Sequence, residues 1–206
     1  MIDWRLYLVT DRRLAAPRAI EDVVAAAVRG GVTAVQLREK DCTTREFVAL
    51  ARRLKQIVAP AGVPLIVNDR VDVALAAGAD GVHLGQSDMD CREARRLLGP
   101  NAIVGLSVET LEQAKEAATL PVDYLGAGPI FPTATKADAA RAWGLDRLAV
   151  LRGQTAQTLV AIGGIDASNA RQAIGAGADG IAVVSAICGA RDPEGAARQL
   201  RAILAQ

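Results

Sequence analysis

Eight short aliphatic runs alternate with amphipathic segments rich in Ala, Arg and Glu, and this order predicts an α/β chain folded as a single-domain (β/α)8 TIM barrel. Two further observations agree. Continuous apolar strands between helices imply parallel pairing with both sheet faces covered. Glycines also stand where helices should end and strands begin. At 206 residues the chain has room for one well-buried core rather than two ordinary domains, so residues 1–206 are expected to form one domain. An open doubly wound sheet is the alternative, but it normally carries an early Gly-x-Gly-x-x-Gly turn, and none follows Val9.

Taken in order, the expected strands are Leu6–Val9, Ala34–Leu37, Leu65–Asn68, Gly81–Leu84, Ile103–Leu106, Tyr124–Gly126, Leu159–Ile162 and Ile181–Val184. Expected helices fill the gaps: Ala19–Arg29, Arg45–Ala59, Val71–Ala77, Asp90–Leu98, Leu111–Ala118, Leu145–Leu151 and Asn169–Ile174, with Glu194–Leu204 after the last strand. Gly30-Gly31, Gly78 and Gly175 to Gly177 suit helix C-caps that reverse into the next strand. Gly-Ala-Asp-Gly occurs at 78 and again at 177, a weak internal echo at corresponding points of two units.

Half of the residues are apolar and the net charge is only +1, so no broad field draws the chain to nucleic acid or to a membrane surface. The longest apolar stretches are far shorter than a bilayer span, and the N-terminal Met1-Ile2-Asp3-Trp4-Arg5 lacks the apolar core of a signal peptide. Three scattered cysteines, Cys42, Cys91 and Cys188, fit neither a disulfide framework nor a zinc motif. A reduced, cytoplasmic setting is the expectation.

In a barrel the chemistry belongs at the C-terminal ends of the strands, and polar residues gather there. Alternation along β-structure puts Gln36, Arg38 and Lys40 on one side and Val35 and Leu37 on the other. The polar side suits an anion, although a lone Arg-x-Lys also suits a solvated strand end. Asp69 and Asp88 follow the third and fourth strands, where two carboxylates at one rim would suit Mg²⁺. Each is equally suited to cap the helix that follows it. His83 is the sole histidine; it lies inside an apolar strand without an identifiable acid/base partner, and a structural role is expected for it. Ser107 adds a hydroxyl at the fifth exit. After the sixth strand, Gly128-Pro129-Ile130-Phe131-Pro132-Thr133-Ala134-Thr135-Lys136 offers hydroxyls and an ammonium from a loop preset by prolines, unless it is merely a solvated loop. Gly163-Gly164 and Val184-Ser185 at the last two exits, with a short helix over Ser185–Cys188, suit a monophosphate. Two anion sites follow, one the size of a monophosphate and one suited to a pyrophosphate.

Across essentially its whole length the chain resembles the thiamine phosphate synthase family. The resemblance rests on Gln36 to Lys40, Asn68-Asp69, Val82 to Asp88, Gly105-Leu106-Ser107, Gly128 to Lys136, Gly163-Gly164-Ile165 and Val184-Ser185. Ser87 is a small departure, since the family often has Glu beside the metal Asp. The resemblance implies a transferase that joins an aminopyrimidine-methyl pyrophosphate to a thiazole phosphate and releases pyrophosphate. It implies that Gln36, Leu37, Arg38, Glu39, Lys40, Asn68, Ser107 and Lys136 hold the pyrimidine substrate, with Arg38, Lys40, Lys136 and Ser107 acting on its leaving group. Asp69 and Asp88 would hold Mg²⁺. Thr133, Ala134, Thr135, Gly164, Val184 and Ser185 would receive the thiazole phosphate. The partners implied are two small phosphorylated heterocycles, with no nucleic acid and no membrane; barrels of this kind often form homo-oligomers. Competing readings are a thiazole tautomerase with the same fold, an isomerase or epimerase barrel built around His83, and a non-catalytic sensor of thiamine precursors.

Overall fold

A computed structural model describes residues 2–133 and 142–205. Its eight strands are β1 (Leu6–Val9), β2 (Ala34–Leu37), β3 (Leu65–Asn68), β4 (Gly81–Leu84), β5 (Ile103–Val108), β6 (Tyr124–Ala127), β7 (Thr158–Ile162) and β8 (Gly180–Val183). Neighbours pair in parallel around the ring, and β8 returns to β1 to close the barrel. The expected strand positions are met, with β5 two residues longer than read. The open doubly wound alternative is excluded by the closure.

Ten helices accompany the strands among the described residues: α1 (Arg12–Ala15), α2 (Ile20–Arg29), α3 (Thr44–Val58), α4 (Val71–Ala77), α5 (Cys91–Leu98), α6 (Leu111–Ala117), α7 (Gly144–Gln154), α8 (Ala170–Gly175), α9 (Ser185–Cys188) and α10 (Pro193–Leu204). Their sequence logic is local. In α3, Thr43 and Glu46 form a capping box, and Phe47, Leu50, Ala51, Leu54 and Val58 make the buried stripe. Before α10, Asp192 accepts from Gly195 N and Pro193 takes the first turn. The four-residue α1 escapes sequence reading because it is too short for a 3.6-residue period; Asp11 caps it by accepting from the Arg13 and Leu14 amides.

The Gly-Ala-Asp-Gly echo has a structural cause. Asp80 accepts the Leu65 amide at 2.7 Å and pairs with Lys55, while Asp179 accepts the Leu159 amide at 2.8 Å and pairs with Arg152. Asp123 repeats the pattern on Val104 N and Arg95. Each clamps the start of one strand to the helix before it, which is work for the stability end of a barrel. Side chains such as Val35, Leu37, Leu65 and Val67 point outward under the helices, where they form the main apolar layer. A second cluster plugs the barrel interior: Trp4, Tyr7, Ile66, Ile103, Tyr124 and Val160. The Trp4 and Tyr124 rings sit 4.2 Å apart between centroids.

Candidate active site

Above that plug, at the C-terminal ends of the strands, lies a cavity of about 540 Å³. Gln36, Arg38 and Lys40 all line it, so alternation carries those three side chains to the same face. Arg38 is held by its backbone, whose amide donates to the buried Thr10 hydroxyl at 3.0 Å. Among the described residues its guanidinium has no hydrogen-bond or ion-pair partner. A guanidinium so placed beside a cavity is suited to hold an anion. Leu37 and Glu39 belong to the same segment but turn their side chains elsewhere. Leu37 packs in the outer apolar layer, and Glu39 pairs with Arg12.

Lys40 Nζ meets Asp69 Oδ2 at 2.7 Å. Asp69 stands at φ 64°, a left-handed conformation unusual for a non-glycine residue, and its amide donates to the His83 carbonyl at 2.8 Å. Asp88 closes a tight turn in which Gly85 N donates to its Oδ2 at 2.6 Å. Neither carboxylate caps a helix. The cap position of α4 is Arg70, without a side-chain bond, and the cap of α5 is Asp90. The two carboxylates instead lie side by side, and burial together with the Asp69 charge holds Asp88 above the usual carboxylate range. The pair is short of positive charge, and two such oxygen donors could hold a hard divalent cation. Among the described residues no group of three or more His, Cys, Asp and Glu gathers at one point, so a cation here would draw its other ligands from water or substrate.

His83 and Ser107 also face the cavity, with the buried Asn68 beside them. His83 has the partners that its sequence context did not reveal: Nδ1 lies 2.8 Å from the Tyr124 hydroxyl and Nε2 lies 2.8 Å from Ser107 Oγ. Burial pushes the imidazole down to about 4, so it is neutral at physiological pH. The Tyr124 hydroxyl is 2.9 Å from that of Tyr7, and Gln36 Nε2 donates to Tyr7 at 3.0 Å. Neither tyrosine stands out in the sequence, where each falls inside an expected strand. Their signal was modest: polar-tipped rings at inward positions of strands that otherwise read as wholly apolar.

On the opposite wall, Gly163, Gly164, Val184 and Ser185 line the cavity with Thr133. A Cβ on Gly164 would lie 2.5 Å from the Pro132 carbonyl oxygen, and its φ of 63° also demands glycine. The β6 exit is laced to the β7 exit, since Ile130 N donates to the Ile162 carbonyl and Phe131 N to the Gly163 carbonyl. Helix α9 starts at Ser185 as expected. Ala134, Thr135 and Lys136 lie outside the described residues.

Comparisons with known proteins converge on one family. Residues 6–187 match the family described as thiamine monophosphate synthase. The thiamine-phosphate synthase of Albidiferax ferrireducens is 60% identical over 200 residues, covering 97% of this chain and 91% of that protein. That of Chloroflexus aurantiacus is 53% identical, covering 99% and 94%. A solved thiamine phosphate pyrophosphorylase from Pyrococcus furiosus superimposes with a TM-score of 0.91 at 44% identity, covering 98% of this chain and 96% of that one. Similarity this high, sustained from the first strand to the last and over a barrel rim of this chemistry, makes the chain a member of the thiamine monophosphate synthase family, transferases of thiamine biosynthesis.

Proposed function

We propose that the cavity joins 4-amino-5-hydroxymethyl-2-methylpyrimidine pyrophosphate to a thiazole phosphate, with or without a carboxylate on the thiazole, giving thiamine phosphate and pyrophosphate. One observation carries this reading. The Arg38 guanidinium, without a partner among the described residues, and the Asp69–Asp88 pair border the same cavity as the glycine wall of β7 and β8, which leaves room for a diphosphate and a monophosphate in one chamber.

In this reading the C–O bond to pyrophosphate breaks first, and the aminopyrimidine ring bears the cation that remains. The thiazole nitrogen then attacks with its own lone pair. No general base is required, in keeping with a histidine that is neutral and committed to two hydrogen bonds. The protein's task is to meet the charge that grows on the leaving group. Arg38 and Lys40, with Lys136, are suited to that as fixed donors, and Ser107 offers a hydroxyl. Gln36 and Asn68 hold the pyrimidine. Asp69 and Asp88 would hold Mg²⁺, which when bound supplies Lewis-acid charge to the pyrophosphate oxygens. Thr133, Ala134, Thr135, Gly164, Val184 and Ser185 receive the thiazole phosphate. The setting proposed for this reaction is a reduced, cytoplasmic one, with which the free Cys42, Cys91 and Cys188 agree.

The test is incubation of the purified protein with both precursors and Mg²⁺, following thiamine phosphate and inorganic pyrophosphate together. Tight binding of both precursors with no pyrophosphate released would overturn the reading.

A further inference from the structure

The only histidine of the chain and both of its tyrosines lie on one string of hydrogen bonds that crosses the barrel floor. The string starts at Gln36 on β2 and passes through Tyr7 on β1, Tyr124 on β6 and His83 on β4 to Ser107 on β5. Its four links measure 3.0, 2.9, 2.8 and 2.8 Å. Burial keeps all three rings uncharged. Each interior member has two partners and one mobile proton, so a direction imposed at one end is passed to the other.

Gln36 donates to the Tyr7 hydroxyl, so Tyr7 turns its own proton to Tyr124. Tyr124, having accepted, donates to His83 Nδ1. That nitrogen is then bare, which puts the imidazole proton on Nε2 and aims it at Ser107 Oγ. Ser107 accepts from His83 and keeps its hydroxyl proton for the cavity. If the Gln36 amide turns over, every link reverses and Ser107 presents lone pairs instead.

We infer that Tyr7, Tyr124 and His83 are positioning residues that couple the orientation of the Gln36 amide to the polarity of the Ser107 hydroxyl. The assignment of what the two ends serve rests on the coupling reaction proposed above. With Nε2 committed to Tyr7, Gln36 keeps its Oε1 for an N–H donor such as the exocyclic amino group of an aminopyrimidine. Ser107 is then a donor toward an anionic oxygen of the departing pyrophosphate. An oxo group in place of the amino group would call for the opposite amide, and Ser107 would face the leaving group with lone pairs. Recognition of an amino-substituted ring and stabilisation of the leaving group thereby become one choice.

A single histidine makes the test direct. Protein labelled with ¹⁵N-histidine gives one imidazole, and without substrate the parent should show the Nε2–H tautomer; an Nδ1–H tautomer would overturn the inference. Gln36→Leu removes the donor that sets the direction, and both tautomers should then appear, although the change lies three hydrogen bonds from the ring. An unchanged pure tautomer in a folded Gln36→Leu protein would refute the coupling. Should that variant not fold, Tyr7→Phe severs the same link from the other side and is judged by the same two outcomes. Kinetically, Tyr124→Phe and Ser107→Ala should each lower kcat roughly tenfold and their combination also roughly tenfold, because one acts through the other. A hundredfold loss in the double variant would mean that Tyr124 acts independently. Since the tautomer is read without substrates, a responsive tautomer with no thiamine phosphate formed refutes only the reaction, and product formation with an unresponsive tautomer refutes only the string.

Discussion

A Cβ added to Gly105 would lie 2.2 Å from Cζ of the Tyr124 ring. Gly105 is the register partner of His83 on one side and of Tyr124 on the other. The two side chains meet over the space its missing side chain leaves. Gly105→Ala must displace an aromatic ring in a filled interior, and overpacking of this kind costs about 1–3 kcal/mol. For a chain of this size the melting temperature should fall by about 2–10 °C. A melt within a degree of the parent would show that Tyr124 yields freely.

Arg38→Ala should lower kcat by about a hundredfold and leave the KM for thiazole phosphate nearly unchanged, since one fixed donor to a leaving anion is worth on the order of 3 kcal/mol. Arg38→Lys should restore little, because an ammonium does not reproduce the planar fork. Steady-state kinetics with each substrate varied in turn decides this, and equal turnover removes Arg38 from the leaving-group site.

Asp88→Asn relieves the crowding of the two carboxylates and takes one anionic oxygen donor from the rim. The Mg²⁺ concentration that gives half-maximal activity should rise by roughly tenfold or more. An unaltered Mg²⁺ titration would place the cation elsewhere.

Gly164→Ala sets a methyl 2.5 Å from the Pro132 carbonyl oxygen in a backbone conformation unsuited to alanine. The wall formed by the β6 and β7 exits should deform, raising the KM for thiazole phosphate by about tenfold while the pyrimidine substrate binds as before. Equal losses for both substrates would mean general damage instead of a local phosphate site.

Burial lowers His83 from its ordinary 6.5 to about 4 in the folded protein. Between those values the unfolded chain binds the extra proton, so the stabilisation is complete above pH 6.5 and fades as the pH falls toward 4. Urea unfolding at pH 7 and pH 4.5 should show the parent losing about 2 kcal/mol more than His83→Gln over that interval. Identical losses in the two proteins would show that His83 does not titrate in this window.

The strands are legible in the sequence because a barrel strand buried on both faces leaves a bare apolar run between a glycine stop and a polar exit, as in Leu65-Ile66-Val67-Asn68-Asp69. The same property hides Tyr7. In Leu6-Tyr7-Leu8-Val9 no alternation marks which residues look inward, and its partner is 117 positions away. For Asp69 and Asp88 the local pattern allowed two roles, and spatial juxtaposition alone separates them: Asp90 caps α5, while Asp88 turns back to Gly85 and toward Asp69. The likeness of the repeated aspartates was visible in sequence; their clamp on the preceding strand was not, because its other half lies on a helix more than twenty residues away.

Among the described residues, the aromatic plug of Trp4, Tyr7 and Tyr124 fills the barrel beneath the chamber, on the side away from the strand exits. In the reaction proposed above, reactants and products would then pass on the side of the strand exits, and water would approach a short-lived pyrimidine cation from the side on which the thiazole enters. With the thiazole seated, the nearest nucleophile in that reaction would be the one whose capture is productive. With it absent, the same side would admit solvent, and the fate of the pyrimidine would depend on which molecule entered last.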